Sequence, residues 1–102
     1  MPLYAIHALD GPGGADKRSA HLAAHLAHVE AQIERYFVAG PLRNAAGATV
    51  GSLLVVEAAD EEDARAFLAE DPYADVQLWD HIHVSAFAAV AGSSVGGAAW
   101  KN

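Results

Sequence analysis

Three histidines fall close together in the stretch KRSAHLAAHLAHVE, residues 17–30: His21, His25 and His28. Imidazole takes and returns a proton near neutral pH, and it is also a common metal ligand. On a helix turning roughly 100° per residue, the three rings lie within about 60° of one another. His21 and His25, at i and i+4, have chelating spacing. Residues 22–24 between them are Leu, Ala and Ala, however, without the glutamate of an HExxH helix. His81 and His83 share one face of a strand in HIH. With no carboxylate pattern among these imidazoles, no metal site is expected.

Leu22, Leu26, Val29 and Ile33 recur at i, i+4, i+7 and i+11 on the same helix. They read as the apolar stripe that faces the core. His25 then lies about 70° from the centre of that stripe, and His21 and His28 about 110–130° away. The expectation is that His25 sits at the rim of the buried face and the other two point towards water. A rim histidine suits a general acid/base, and equally a plain hydrogen bond at the core boundary.

In EDPY, residues 70–73, Pro72 fixes its own φ and pushes Asp71 towards an extended conformation. A carboxylate held there could accept a hydrogen bond from an imidazole and orient it, or simply cap the local turn. Gly40 and Pro41 of AGP, and Ser52 of GS, could admit a ligand close to the backbone and offer it one hydroxyl. They could also be ordinary strand-end chemistry. PGG at 12–14 fits no phosphate-binding loop. Tyr73 and Trp79 read as core or interface residues.

Positioning these groups requires a definite order of elements. LYAIHAL alternates and ends at the turn cluster DGPGG, giving a first strand. A helix opened by Asp16 or Ser19 follows and fades near Arg35. YFVAGPL is a short strand, RNAAGAT a loop, and VGSLLVVEA a β-branched strand. ADEEDARAFLAED starts acidic, as helix N-termini favour, and Pro72 breaks or restarts that helix. A last strand runs from Leu78 to about Phe87. AGSSVGGAAWKN is a Gly-rich tail, expected to be flexible over 91–102, with Trp100 as its anchor. The order β-α-β-β-α-β predicts a ferredoxin-like α+β domain over residues 1–90: a four-stranded antiparallel sheet with helices on one face. The sheet is apolar on both alternations, so a sheet-to-sheet homodimer is expected.

Composition narrows the function classes. The 102 residues allow one modest core, and the net charge of −7 argues against nucleic-acid binding. No apolar run is long enough for a membrane span. MPLYAIHALDG lacks a basic n-region and reads as a strand, so no secretory signal is expected. The absence of cysteine removes thiolate chemistry and suits the cytoplasm.

Taken in order, LYAIHALD, KR before His25, HLAHV at 25–29, VAGPL, GSLLVVEA, DPYADV and WDHIHV resemble the YciI-like, or YCII-related, family. The resemblance covers about residues 2–87. It implies a dimeric α/β-barrel fold and a site pairing His25 with Asp71. Ser52 would lie nearby, and His81 stands where relatives often carry a histidine. HVSAF departs from the resemblance, since relatives often have lysine and proline before that phenylalanine. The expected function is cofactor-independent acid/base chemistry, of lyase or isomerase type, on a small cyclic or aromatic molecule. His25 would move the proton and Asp71 would orient it. Ser52, Gly40, Pro41 and His81 would bind the ligand. The alternatives are a non-catalytic binding or accessory module with the same pocket, and a purely structural His25–Asp71 bond.

Overall fold

The structure, a computed structural model, describes residues 1–101. β1 (Leu3–Asp10) leads into α1 (Gly14–Ala31), then β2 (Tyr36–Arg43) and β3 (Thr49–Glu57). Two helices follow, α2 (Glu61–Ala69) and the single turn α3 (Pro72–Asp75), before β4 (Trp79–Phe87). All pairings are antiparallel, in the order β2-β3-β1-β4. This is the ferredoxin-like α+β arrangement expected from the element order.

Local chemistry sets the helix starts. α1 begins two to five residues earlier than Asp16 or Ser19 would place it, because Gly13 adopts a left-handed φ of 74° that turns the chain directly into the helix. Asp16 then lies in the first turn, where its charge complements the helix dipole. At α2 the Asp60 side chain accepts the Asp63 N–H at 2.8 Å. At α3 Pro72 takes the first position, where a missing N–H breaks no bond, and the Asp71 carboxylate caps the turn.

The core lies between the sheet and α2–α3. Ile6, Ala8, Leu54, Val56 and Val84 point from the strands onto Ala64, Phe67 and Leu68 of α2. Tyr73, Leu78 and Trp79 close it at one end. A side chain such as Phe67 contributes about 1.5–3 kcal/mol on burial.

α1 departs from expectation. None of its residues is fully buried, and Leu22 and Leu26 are 49% and 48% exposed. The histidine face turns inward instead: His21, His25 and His28 are all partly buried. His28 packs beside Phe67, and its Nε2 is enclosed. Polar anchors at Arg18 and His25 hold this face of the helix against the fold, so the leucines overhang a cavity.

The tail forms a two-rung hairpin, β5 (Ala91–Gly92) with β6 (Gly97–Ala98). Trp100 is 70% exposed and anchors nothing, contrary to expectation. Asn102, the last residue of the expected flexible tail, lies outside the described residues. No helix among the described residues is long and apolar enough to cross a membrane.

Candidate active site

His25 and Asp71 are 46 residues apart in sequence and meet directly. His25 Nδ1 lies 2.9 Å from Asp71 Oδ1 and 2.8 Å from Oδ2. The Asp71 side chain is 1% exposed and that of His25 is 19% exposed. Asp71 Oδ1 also accepts the Tyr73 N–H at 2.8 Å. One turn of chain therefore sets the carboxylate, and the carboxylate sets the imidazole. An ionised carboxylate only accepts hydrogen bonds, so Nδ1 carries the proton. In the neutral ring, Nε2 then keeps its lone pair, and it has no protein partner among the described hydrogen bonds. The ring also stacks on Tyr73, with centroids 4.1 Å apart and planes inclined by 15°.

A cavity of about 270 Å³ opens beside this pair. α1 supplies Leu22, Leu26 and Val29 to one wall, and β2 supplies Ala39, Gly40 and Pro41 to the other. Ser52 and Leu54 come from β3, with Tyr73 and Trp79 alongside. Gly40, Pro41 and Ser52 thus share the cavity with His25. Ser52 pairs with Ala8 and Pro41 across the sheet and is 8% exposed.

His81 is not brought to this cavity. It pairs with Leu9 and lies on the opposite face of the sheet, with His7 and His83. The reason is the strand's alternation together with an irregularity at Leu9/Asp10, which pairs Trp79 with Asp10 and directs Trp79 to the core. Among the described residues, no three His, Asp or Glu side chains converge on a common metal position.

Arg18, of the KR motif before His25, and Asp10, at the end of LYAIHALD, carry resemblance motifs but no expected site role. Arg18 Nε and Nη2 donate to the two Asp10 carboxylate oxygens at 2.7 and 2.8 Å. Nη2 also donates to the Gly51 carbonyl at 3.0 Å and Ser52 Oγ at 2.9 Å. The bond to Asp10 holds the guanidinium more firmly protonated, with burial opposing. Arg18 stands seven residues before His25, two helical turns and hence the same face. That spacing was the available signal. Tyr73 is raised above its ordinary pKa chiefly by burial, with the Arg18 charge opposing. Burial, aided by the Asp71 charge, pushes Tyr36 up to about 12.

The fold and these groups define a ferredoxin-like α+β domain whose polar side chains gather at one cavity between the first helix and the sheet. Comparison with known proteins is narrower. The YCII-related domain family matches residues 2–88, and the chain belongs to that family. Protein YciI of Escherichia coli is 33% identical over 94 residues, covering 83% of this chain and 95% of that protein. Protein YciI of Shigella flexneri matches equally, 33% over 94 residues with the same coverage. A solved structure of 5-chloro-2-hydroxyhydroquinone dehydrochlorinase from Burkholderia phenoliruptrix, in complex with 2,5-dihydroxybenzoquinone, has a TM-score of 0.77 and 28% identity. That match covers 89% of this chain and 96% of that one.

Proposed function

We propose that the chain is an acid/base enzyme of lyase or isomerase type, acting on a small cyclic or aromatic molecule. The observation that carries this reading is the His25–Asp71 pair. A buried carboxylate holds Nδ1 and leaves Nε2 as a base at the edge of an apolar cavity. His25 Nε2 removes a proton from the ligand. Asp71 stabilises the imidazolium that results. The proton is then returned at another atom, or a leaving group departs in its place. The dehydrochlorination named for the structural relative is a reaction of this kind. Ser52, Gly40 and Pro41 shape the ligand end of the cavity.

The test is turnover on small lactones, enols and chlorinated hydroxyhydroquinones, followed by absorbance and halide release. Loss of activity in both His25→Ala and Asp71→Asn, with the folds intact, is the expected result. Retained activity in either would overturn the assignment.

The acting form is proposed to be a homodimer. The outer sheet face leaves Leu9, Val38, Leu53 and Phe87 exposed around His7, His81 and His83, apolar side chains that a second copy would cover. Sedimentation giving a monomer at micromolar concentration would remove this part. Residues 1–90 are proposed as the functional domain, so truncation after Val90 should preserve turnover. The cysteine-free composition supports a cytoplasmic setting.

A further inference from the structure

We infer that Arg18, clamped by Asp10, fixes the Ser52 hydroxyl as a donor into the cavity, so that the site selects ligands presenting an acceptor oxygen, an ionised hydroxyl or a carbonyl. This rests on the cavity being a ligand site, as proposed above, and specifies which chemistry it takes.

Arg18 Nη2 carries two hydrogens and meets three acceptors, Asp10 Oδ1, the Gly51 carbonyl and Ser52 Oγ, so one hydrogen is shared between two of them. Arginine has five N–H donors and no acceptor, and a serine hydroxyl has one donor and two lone pairs. Arg18 Nη2 lies 2.9 Å from Ser52 Oγ, so Ser52 must be the acceptor in that bond. Its own hydrogen is left over, and no described residue accepts it. The residue is 8% exposed and lines the cavity, so a ligand is the natural partner. The Tyr73 phenol lies beside the same guanidinium and shares a side-chain hydrogen bond with it. The Ser52 hydrogen is therefore the donor that this wall of the cavity offers a ligand.

The clamp is built into the backbone. Gly51 passes so close to β1 that a Cβ there would stand 2.5 Å from the Ala8 carbonyl oxygen. This close approach sets Ser52 and the Gly51 carbonyl where Arg18 reaches both. Gly14 leaves room for Asp10 in the same way, a Cβ there meeting the Asp10 side chain at 3.0 Å. Seven residues of helix, about 10 Å of rise, separate Arg18 from His25. Ser52 and His25 line the same cavity, so a ligand with its oxygen at Ser52 directs its reacting bond towards His25. Arg18 and Asp10 are positioning residues in this scheme, and Ser52 is the group that touches the ligand.

The test uses 4-nitrophenol, whose absorbance reports ionisation while bound. The wild type should bind the phenolate more tightly than the phenol, lowering the pH at which the bound probe ionises. Ser52→Ala should weaken phenolate binding about tenfold and phenol binding less than about twofold. Ser52→Thr, which keeps the hydroxyl, should restore the preference. Arg18→Lys keeps the charge and loses the fork, so it should lose the preference. A preference that survives Ser52→Ala overturns the inference, as does absence of saturable binding to the wild type. His25→Ala separates the two readings: loss of the preference there but not in Ser52→Ala keeps the His25 reading and sinks this one.

Discussion

His25 lies flat on Tyr73, ring to ring at 4.1 Å, while the Asp71 carboxylate holds its edge at 2.8 Å. Both partners come from one turn of chain after α2. Tyr73→Phe retains the stack and loses the phenol's contacts with Arg18, to the carbonyl at 3.4 Å and to the guanidinium. It should cost about 1–2 kcal/mol. Tyr73→Ala empties a fully buried site and should cost about 3–5 kcal/mol, read by urea melts.

Asp71→Asn removes the charge that supports an imidazolium and weakens the bond that fixes the ring. Turnover should fall by roughly 10²–10⁴, with about 1–3 kcal/mol of stability lost. A stability loss with turnover unchanged would make the pair purely structural.

His28 Nε2 is enclosed beside Phe67 and has no hydrogen-bond partner among the described residues. An unsatisfied buried polar group costs about 1–3 kcal/mol. His28→Leu should therefore raise the melting temperature at neutral pH and leave turnover unchanged.

Gly51→Ala sets a methyl against the Ala8 carbonyl, which belongs to the neighbouring strand and cannot rotate away. The β1–β3 pairing must open, at about 1–3 kcal/mol. Ser52 moves with it, so 4-nitrophenolate binding should weaken in parallel.

Tyr36 links stability to alkaline pH. Its folded pKa of about 12 lies above the ordinary 10.0, because the buried phenol resists ionisation. The folded state thus holds its proton more tightly than the unfolded state does. That contribution is fully present below pH 10 and is lost as pH rises towards 12. Melts of Tyr36→Phe should show a shallower fall across this window than the wild type.

The sequence by itself determined the element order, because strand alternation, helix period and turn chemistry are local. It also picked out His25 and Asp71, through a resemblance carried by short motifs in order. Periodicity established that Leu22, Leu26, Val29 and Ile33 share a face of α1. It did not say which face meets the fold. Bonds from Arg18 to Asp10 and from His25 to Asp71 decided that, and they exist only once α1 lies across the strands and α3. The outward turn of His81 and the capture of Ser52 by Arg18 are of the same kind. Each depends on strand pairing and on contacts between residues distant in the chain, which only the packed fold brings together.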